Sequence, residues 1–201
     1  MKSYAIILNS TPSFGIVMKS FFVCCFVLYA ASITPAVHAE KADSTKPTVV
    51  DADQMAYDDV KQVNTFTGTV VLTRGTLLMK AARVIVTQDP AGYQFATLYA
   101  GPNGRATFRQ KRDGGPDLWI EGEADRIEYN DKTEIAKLFT KAKMRRLEGT
   151  KATDEVEGEF ISYDSRSEFF TVNNTSAGDT SKPGAGRIKA VIQPRTPGAA
   201  K

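Results

Sequence analysis

After Thr48 the chain alternates apolar and polar residues with a period of two, the spacing at which a β-strand presents its two faces. The alternation is clearest at residues 69–73, 83–87 and 106–108, which are rich in Val, Ile, Thr and Phe. Turn-forming Gly, Pro, Asn and Asp interrupt it at 73–75, 89–92, 101–104, 113–116 and 130–132. Since no stretch of helical length has a convincing helical period, we predict an all-β fold, as a sandwich, a jelly roll or a β-solenoid.

A short phrase with a small first residue and Tyr or Val as its last recurs along the chain. It occupies residues 52–57, 81–86, 124–129 and 158–163. Phe66 and Phe139 also take matching places, 13 residues after Asp53 and 14 residues after Asp125. Such repetition predicts stacked two-strand units that share one core. The alternative is that these are chance matches in a β-rich chain.

Residues 21–31 form an unbroken apolar run of 11 residues near the N-terminus. This length fits the core of a signal peptide, which has about 7–15 apolar residues, whereas a membrane-spanning helix needs about 20. Small residues precede the predicted cleavage site between Ala39 and Glu40. We expect export to the bacterial periplasm, with Met18 as the start codon and Met1 as the alternative.

Removal of the signal peptide also removes Cys24, Cys25 and His38, the only cysteines and the only histidine in the sequence. The mature protein would therefore lack disulfides, thiolate or imidazole metal ligands, and any His-dependent nucleophile. The sequence contains no nucleotide-binding loop. We accordingly expect no metal and no other cofactor.

Cleavage also brings the charge close to balance, because it removes Lys2 and Lys19 and no acidic side chain. The 26 basic residues of the whole chain fall to 24, against 23 acidic ones. Proteins that bind nucleic acids by neutralising phosphates usually concentrate basic charge on one surface. A nearly balanced chain argues against a nucleic-acid partner.

We predict one folded domain with short flanking segments. These are the signal peptide at 1–39, a flexible N-terminus at 40–47, the β domain at 48–193 and a disordered tail at 194–201. Residues 173–186 are polar and rich in Gly and Ser, which predicts a long loop. One more strand, at 187–193, follows this loop. Because a loop tethers it at the chain end, we expect it at an edge of the sheet.

Several phrases of the β domain resemble the OstA-like family in residue type and order. They are residues 50–54, 66–73 with Gly75, 82–86, 105–108, 121–125 with Tyr129, and 187–194. The resemblance covers roughly residues 48–194, and the order of the phrases carries it more than any single motif. Lys141 departs from the family pattern, since the second repeat has Lys where the phrase usually has Gly.

The resemblance implies a fold and a function. The fold is a twisted, open, antiparallel β-jelly roll built from degenerate OstA-like repeats. Its apolar interior would hold the acyl chains of lipid A, so the protein would be a periplasmic lipopolysaccharide transport protein and not an enzyme. Acyl chains cannot cross water alone, because each methylene buried away from water is worth about 0.8 kcal/mol.

The resemblance also implies partners. Protomers would join head to tail through their terminal edge strands, which converts an aggregation-prone edge into a joint. The resulting bridge would run from an LptC-like inner-membrane subunit to an LptD-like outer-membrane translocon.

Alternation identifies ten apolar residues that we expect to face inward, where lipid tails could contact them. They are Val50, Val70, Leu72, Leu77, Met79, Phe95, Phe108, Ile120, Met144 and Phe160. For each of them a structural role in the core is the alternative, because the interiors of sheet proteins are apolar in any case. One β-bulge also inverts the facing of every residue after it.

A group of basic residues, Lys141, Lys143 and Arg145, shares one face of a predicted strand. These side chains could meet phosphates or acidic sugars of the lipid. A solvated outer face is the simpler interpretation and the one we favour.

Three acids, Glu121, Glu123 and Asp125, also share a face, and residues two apart on a strand lie about 6.8 Å apart. That separation is in the range of paired glycosidase carboxylates. The sequence has one tryptophan, Trp119, to stack against a sugar, and no second convergent cluster is evident. We therefore expect a hydrated outer face, with a glycan hydrolase as the alternative.

A second alternative is a β-sandwich adaptor that binds only proteins. The interior separates it from a lipid carrier, since a carrier should contain an apolar trough and an adaptor should be packed to ordinary density.

Overall fold

The computed structural model describes residue 43 and residues 45–115, 117–175 and 186–194. Their regular elements are twelve β-strands. The strands are β1 Val49–Asp51, β2 Gln54–Asp58, β3 Val63–Arg74, β4 Leu77–Gln88, β5 Gln94–Tyr99, β6 Ala106–Lys111, β7 Leu118–Ala124, β8 Arg126–Asn130, β9 Ile135–Glu148, β10 Lys151–Asp164, β11 Phe169–Asn173 and β12 Lys189–Ile192. In this part of the chain we find no helix long and apolar enough to span a membrane. The predicted signal peptide lies outside the described residues.

All pairings between these strands are antiparallel, and the four long strands β3, β4, β9 and β10 each pair with different neighbours along their two halves. The first layer consists of one half of each long strand together with β1, β6, β7 and β12. The second layer consists of the other halves together with β2, β5, β8 and β11. Phe108 of the first layer stacks on Tyr163 of the second, with ring centroids 6.3 Å apart. The two layers therefore face each other across a shared core, which confirms the antiparallel β-jelly roll.

The predicted repeat corresponds to a structural one. The recurring phrase overlaps β2, the middle of β4, β8 and the second half of β10. The meander β2 to β5 and the meander β8 to β11 have the same order of short, long, long and short strands. The hairpin of β6 and β7 lies between them and completes the first layer.

The long strands bend where they pass from one layer to the other. In β3 the register shifts between Thr67 and Val70, and Gly68 adopts a φ of 104°. The equivalent point of β9 has no glycine. Thr140 and Lys141 instead adopt φ values of 63° and 53°, in the left-handed region that side chains with a β-carbon disfavour. The Lys that departs from the family pattern therefore takes the left-handed conformation itself.

Replacing Lys141 by Gly should give a protein about 1 kcal/mol more stable than replacing it by Ala, because only Gly relieves the left-handed strain. Both changes remove the exposed side chain, whose amino group lies 3.9 Å from Asp125, so this loss cancels. Urea unfolding of the two variants measures the difference. At Lys137, which has no positive φ, Gly should instead be less stable than Ala. The same order at both positions would contradict the strain.

The two sides of the sheet end in short strands. Among the described strands, β1 and β2 pair only with β3, and β11 and β12 pair only with β10. The last strand thus lies at an edge, as predicted, although it is shorter than the predicted 187–193. Most of the predicted loop and tail lies outside the described residues.

The predicted flexible N-terminus contains one residue that the structure holds in place. Asp43 is buried, and its carboxylate accepts hydrogen bonds from the Thr76 backbone N–H at 2.7 Å and from the Thr76 hydroxyl at 2.5 Å. The Asp43 side chain therefore satisfies donors in the turn between β3 and β4, and the flexibility of segment 40–47 stays a prediction.

Candidate functional site

A row of apolar side chains crosses the second layer in register, one from each strand. It consists of Met55, Phe66, Val84, Leu98, Ile127, Leu138, Ile161 and Val172. The five central members, from Val84 to Ile161, are 0% exposed, whereas Met55 at the edge is 61% exposed. Each strand contributes one inward residue at the same level because side chains alternate between the faces of a strand.

A second row crosses the first layer in the same way. It consists of Val50, Leu72, Met79, Phe108, Gly122, Met144, Val156 and Ala190. Gly122 is the exception in this apolar row, and its neighbours explain it. A β-carbon there would overlap the ring of Phe108 and come within 2.8 Å of Leu138 of the second layer. The ring of Phe108 thus fills the space over Gly122.

Together the two rows form an apolar corridor, by which we mean the space between the layers from the β1 and β2 edge to the β11 and β12 edge. In the middle of the corridor the described side chains of both rows are buried against one another. A cavity of about 20 Å³ near Leu77, Val86 and Tyr129 has room for about one water molecule. An acyl chain could enter this corridor only if the layers moved apart.

One margin of the corridor, which we call the mouth, lies where the hairpin ends of the two layers meet. Three arginines of the first layer reach across it. Arg74 forms an ion pair with Asp131 at 2.5 Å, and Arg112 pairs with Glu168. Arg146 donates to the Glu168 carbonyl oxygen at 2.9 Å. These contacts join the first layer to the turns that follow β8 and β10, and they close the mouth.

Tyr129 lies beside the first of these contacts. Its hydroxyl accepts a hydrogen bond from Arg74 Nη2 at 3.1 Å. Burial raises the pKa of Tyr129 to about 12, although the charge of Arg74 acts in the opposite direction. The phenol therefore stays neutral at physiological pH, and the acidic partner of Arg74 is Asp131.

The structure brings most of the ten predicted residues together in the core. Val70, Leu72, Leu77, Met79, Phe108, Ile120 and Met144 are buried in one cluster, and Val50 packs against it. Whether any of them contacts lipid remains a prediction.

The structure corrects the predicted inward facing of Phe95 and Phe160, because neither side chain faces the corridor. Phe95 is 45% exposed, since Ala96 and Leu98 take the inward positions of β5. Phe160 is buried but lies outside the core cluster, where its ring packs on Phe139 at 5.1 Å. The bulge between Gly158 and Phe160 inverts the facing of β10.

Sequence reasoning missed Leu98, Ile127, Leu138 and the mouth arginines. A signal for Arg74 was available, because it continues the inward alternation of Val70 and Leu72. A charged residue at an inward position marks either a margin of the core or a site.

The two predicted charged faces lie on the outside of the sheet and pair with each other. Glu121 accepts hydrogen bonds from Arg109 at 2.5 Å and from Arg145 at 3.1 Å. Lys143 lies 2.8 Å from Glu155, and this hydrogen bond raises the pKa of Lys143. No group of His, Cys, Asp or Glu in the described ranges could hold a metal ion. The charged residues form ion pairs on a hydrated surface.

Comparison with known proteins finds relatives of one kind. The LptA from Escherichia coli K12, a lipopolysaccharide export system protein, is 39% identical over 112 residues, which span 56% of each chain. The protein of the same name from Haemophilus influenzae is 26% identical over 178 residues, 88% of this chain and 91% of that one. The chain thus aligns with little more than half the length of the Escherichia coli protein.

A solved structure has the same fold. It is the crystal structure of LptH from Pseudomonas aeruginosa, described as the LptA-homologous periplasmic component of the conserved lipopolysaccharide transport device. The match has a TM-score of 0.65 and 27% sequence identity, and it covers 76% of this chain and 99% of that chain.

A family model described as LptA/(LptD N-terminal domain) LPS transport protein matches residues 49–169. This range runs from the first strand of the sheet to the start of β11 and includes most of both apolar rows. The chain therefore belongs to the family of LptA and LptD N-terminal-domain lipopolysaccharide transport proteins.

Proposed function

We propose that this protein binds lipopolysaccharide in the periplasm and carries it with the acyl chains of lipid A inside the apolar corridor. The observation that carries the proposal is the continuity of the two rows, which extend in register from one edge of the sheet to the other. A corridor that is apolar along its whole length lets a chain move without meeting a polar barrier. The names of the relatives support the same function.

We further propose that protomers associate head to tail and bridge an LptC-like inner-membrane subunit to an LptD-like outer-membrane translocon. The free edges support this arrangement. An unpaired edge strand can accept a strand of another chain. Joining the β1 and β2 edge of one copy to the β11 and β12 edge of the next would continue both rows across the joint. The protein is a carrier in this proposal and performs no chemistry on the lipid.

The packing of the interior favours a second candidate, an adaptor that binds only proteins. Residues in the middle of both rows are fully buried by their own neighbours, as expected of a filled core. The carrier proposal accounts for the same packing by a closed, lipid-free form whose layers separate when lipid enters.

Photo-crosslinking from single positions separates the two candidates. A photoreactive residue at Val50 or Phe108 should label lipopolysaccharide when the protein is coexpressed with the transporter, because both side chains belong to the first-layer row. Phe95 and Glu123 are the controls, since they lie on the outer face and should not label. Labelling absent from both interior positions, in protein shown to be folded, would favour the adaptor.

A further inference from the structure

The mouth contains charged residues where the alternation of the strands predicts apolar ones. Arg74 is 5% exposed and follows Val70 and Leu72 on the inward face of β3. Placing a guanidinium in an apolar interior is costly unless it is paired. A stable core alone would be served by an apolar residue at this position. The charge therefore calls for an explanation beyond packing.

The two mouth ion pairs have the same polarity. In each one the arginine belongs to the first layer and the acid to a hairpin turn of the second, as in Arg74 with Asp131 and Arg112 with Glu168. If the layers separate at the mouth, both arginines stay with the first layer and both acids leave with the second. Arg146 differs, because it keeps Asp154 of its own layer at 4.0 Å.

The hydrogen bonding of these arginines is also incomplete. The Nε–H groups of Arg74 and Arg112 are buried and have no partner among the described residues. A phosphate presents several acceptor oxygens to a guanidinium and can take two parallel hydrogen bonds from it. It would therefore use donors that the present carboxylate partners leave unsatisfied.

The position of the mouth relative to the corridor gives the ligand. With acyl chains between the two layers, the phosphorylated sugars of lipid A must leave the corridor at a margin that opens to water. We propose that Arg74 and Arg112 bind phosphate groups of lipid A, which replace Asp131 and Glu168 as the layers separate. The proposal rests on the proposed function and adds the residues that recognise the headgroup.

Binding of purified lipid A to the mature protein tests the proposal, with chemically dephosphorylated lipid A as the comparison ligand. Wild-type protein should bind the phosphorylated form at least about tenfold more tightly. Arg112→Gln should remove most of this preference by weakening binding of the phosphorylated form alone. Glu168→Gln should strengthen that binding several-fold, because it removes the carboxylate that competes with phosphate.

The matched control is Arg109→Gln, which removes an arginine that is ion-paired with Glu121 on the outer face. It changes the net charge by the same amount and should leave the preference intact. Arg74→Gln gives a second measurement at the other ion pair. Thermal unfolding of each variant identifies any that fail to fold. Such variants are replaced by Arg74→Lys or Arg112→Lys, which keep the charge but lose the forked geometry and should lose part of the preference.

The outcomes separate this proposal from the proposed function. If wild-type protein binds neither form of lipid A, the carrier function itself fails. If it binds both forms equally, or if Arg109→Gln loses as much preference as Arg112→Gln, the phosphate site is overturned and the carrier function stands. Inorganic phosphate at millimolar concentration should not displace lipid A. Arg112-dependent binding of inorganic phosphate to the lipid-free protein, together with equal binding of both forms of lipid A, would assign the arginines to free phosphate and overturn the proposal.

Discussion

Replacing Gly122 by Ala is expected to lower the free energy of unfolding by about 3 kcal/mol. The added β-carbon would overlap the ring of Phe108, which is buried between the layers and stacks on Tyr163. The same carbon would approach Leu138 of the opposite layer, so the ring cannot move away without displacing a second buried side chain. For a domain of this size the melting temperature should fall by about 6–12 °C, measured by circular dichroism.

Gly104→Ala is the matched control, because Gly104 has no atom within 4 Å of an added β-carbon and should tolerate the change. A double-mutant cycle identifies the cause. Phe108→Leu shortens the side chain that clashes, so Gly122→Ala should cost at least about 1 kcal/mol less in that background. Equal costs in both backgrounds would mean that the clash with Phe108 is not what makes Gly122 necessary.

Replacing Leu98 by Ala should cost about 3 kcal/mol, since it removes a fully buried side chain from the middle of the second-layer row. The substitution would leave a cavity. Val84 and Ile127 lie beside Leu98 on the neighbouring strands, and backbone pairing holds each of them in place, so they cannot move in to fill it. Guanidinium chloride unfolding measures the loss.

Phe95→Ala provides the comparison on the same strand. Phe95 is the larger side chain, but it faces outward and is 45% exposed, so its removal should cost less than about 1 kcal/mol. A larger loss at Phe95 than at Leu98 would contradict the facing of β5 and return Phe95 to the interior.

The alternation of apolar residues and the recurring phrase were sufficient to predict the all-β class and the repeat. They could do so because each strand carries its own period, and because the recurring phrase falls on the short first strand and the second long strand of each meander. Most predicted inward residues of the first layer are in the core for the same reason. This part of the fold depends on local pattern alone.

The prediction of which side chains face inward failed where facing depends on turns and bulges. The turn before β5 sets which of Phe95 and Ala96 faces inward, and the sequence of the strand carries both options. The bulge at Gly158 shifts Phe160 to the other face, and a bulge has no dependable sequence signal. The ion pairs of the mouth could not be predicted from the sequence either. Arg112 and Glu168 are 56 residues apart in the chain and meet only after the two layers fold together.

The number of strands that the two rows cross in register sets the length of the corridor. Neighbouring strands are about 4.8 Å apart, so eight strands side by side give a length of about 34 Å between the first and last side chains of a row. Each added pair of strands lengthens that reach by about 10 Å without a change in cross-section. Within a chain of this design, the distance spanned is set by the number of repeats.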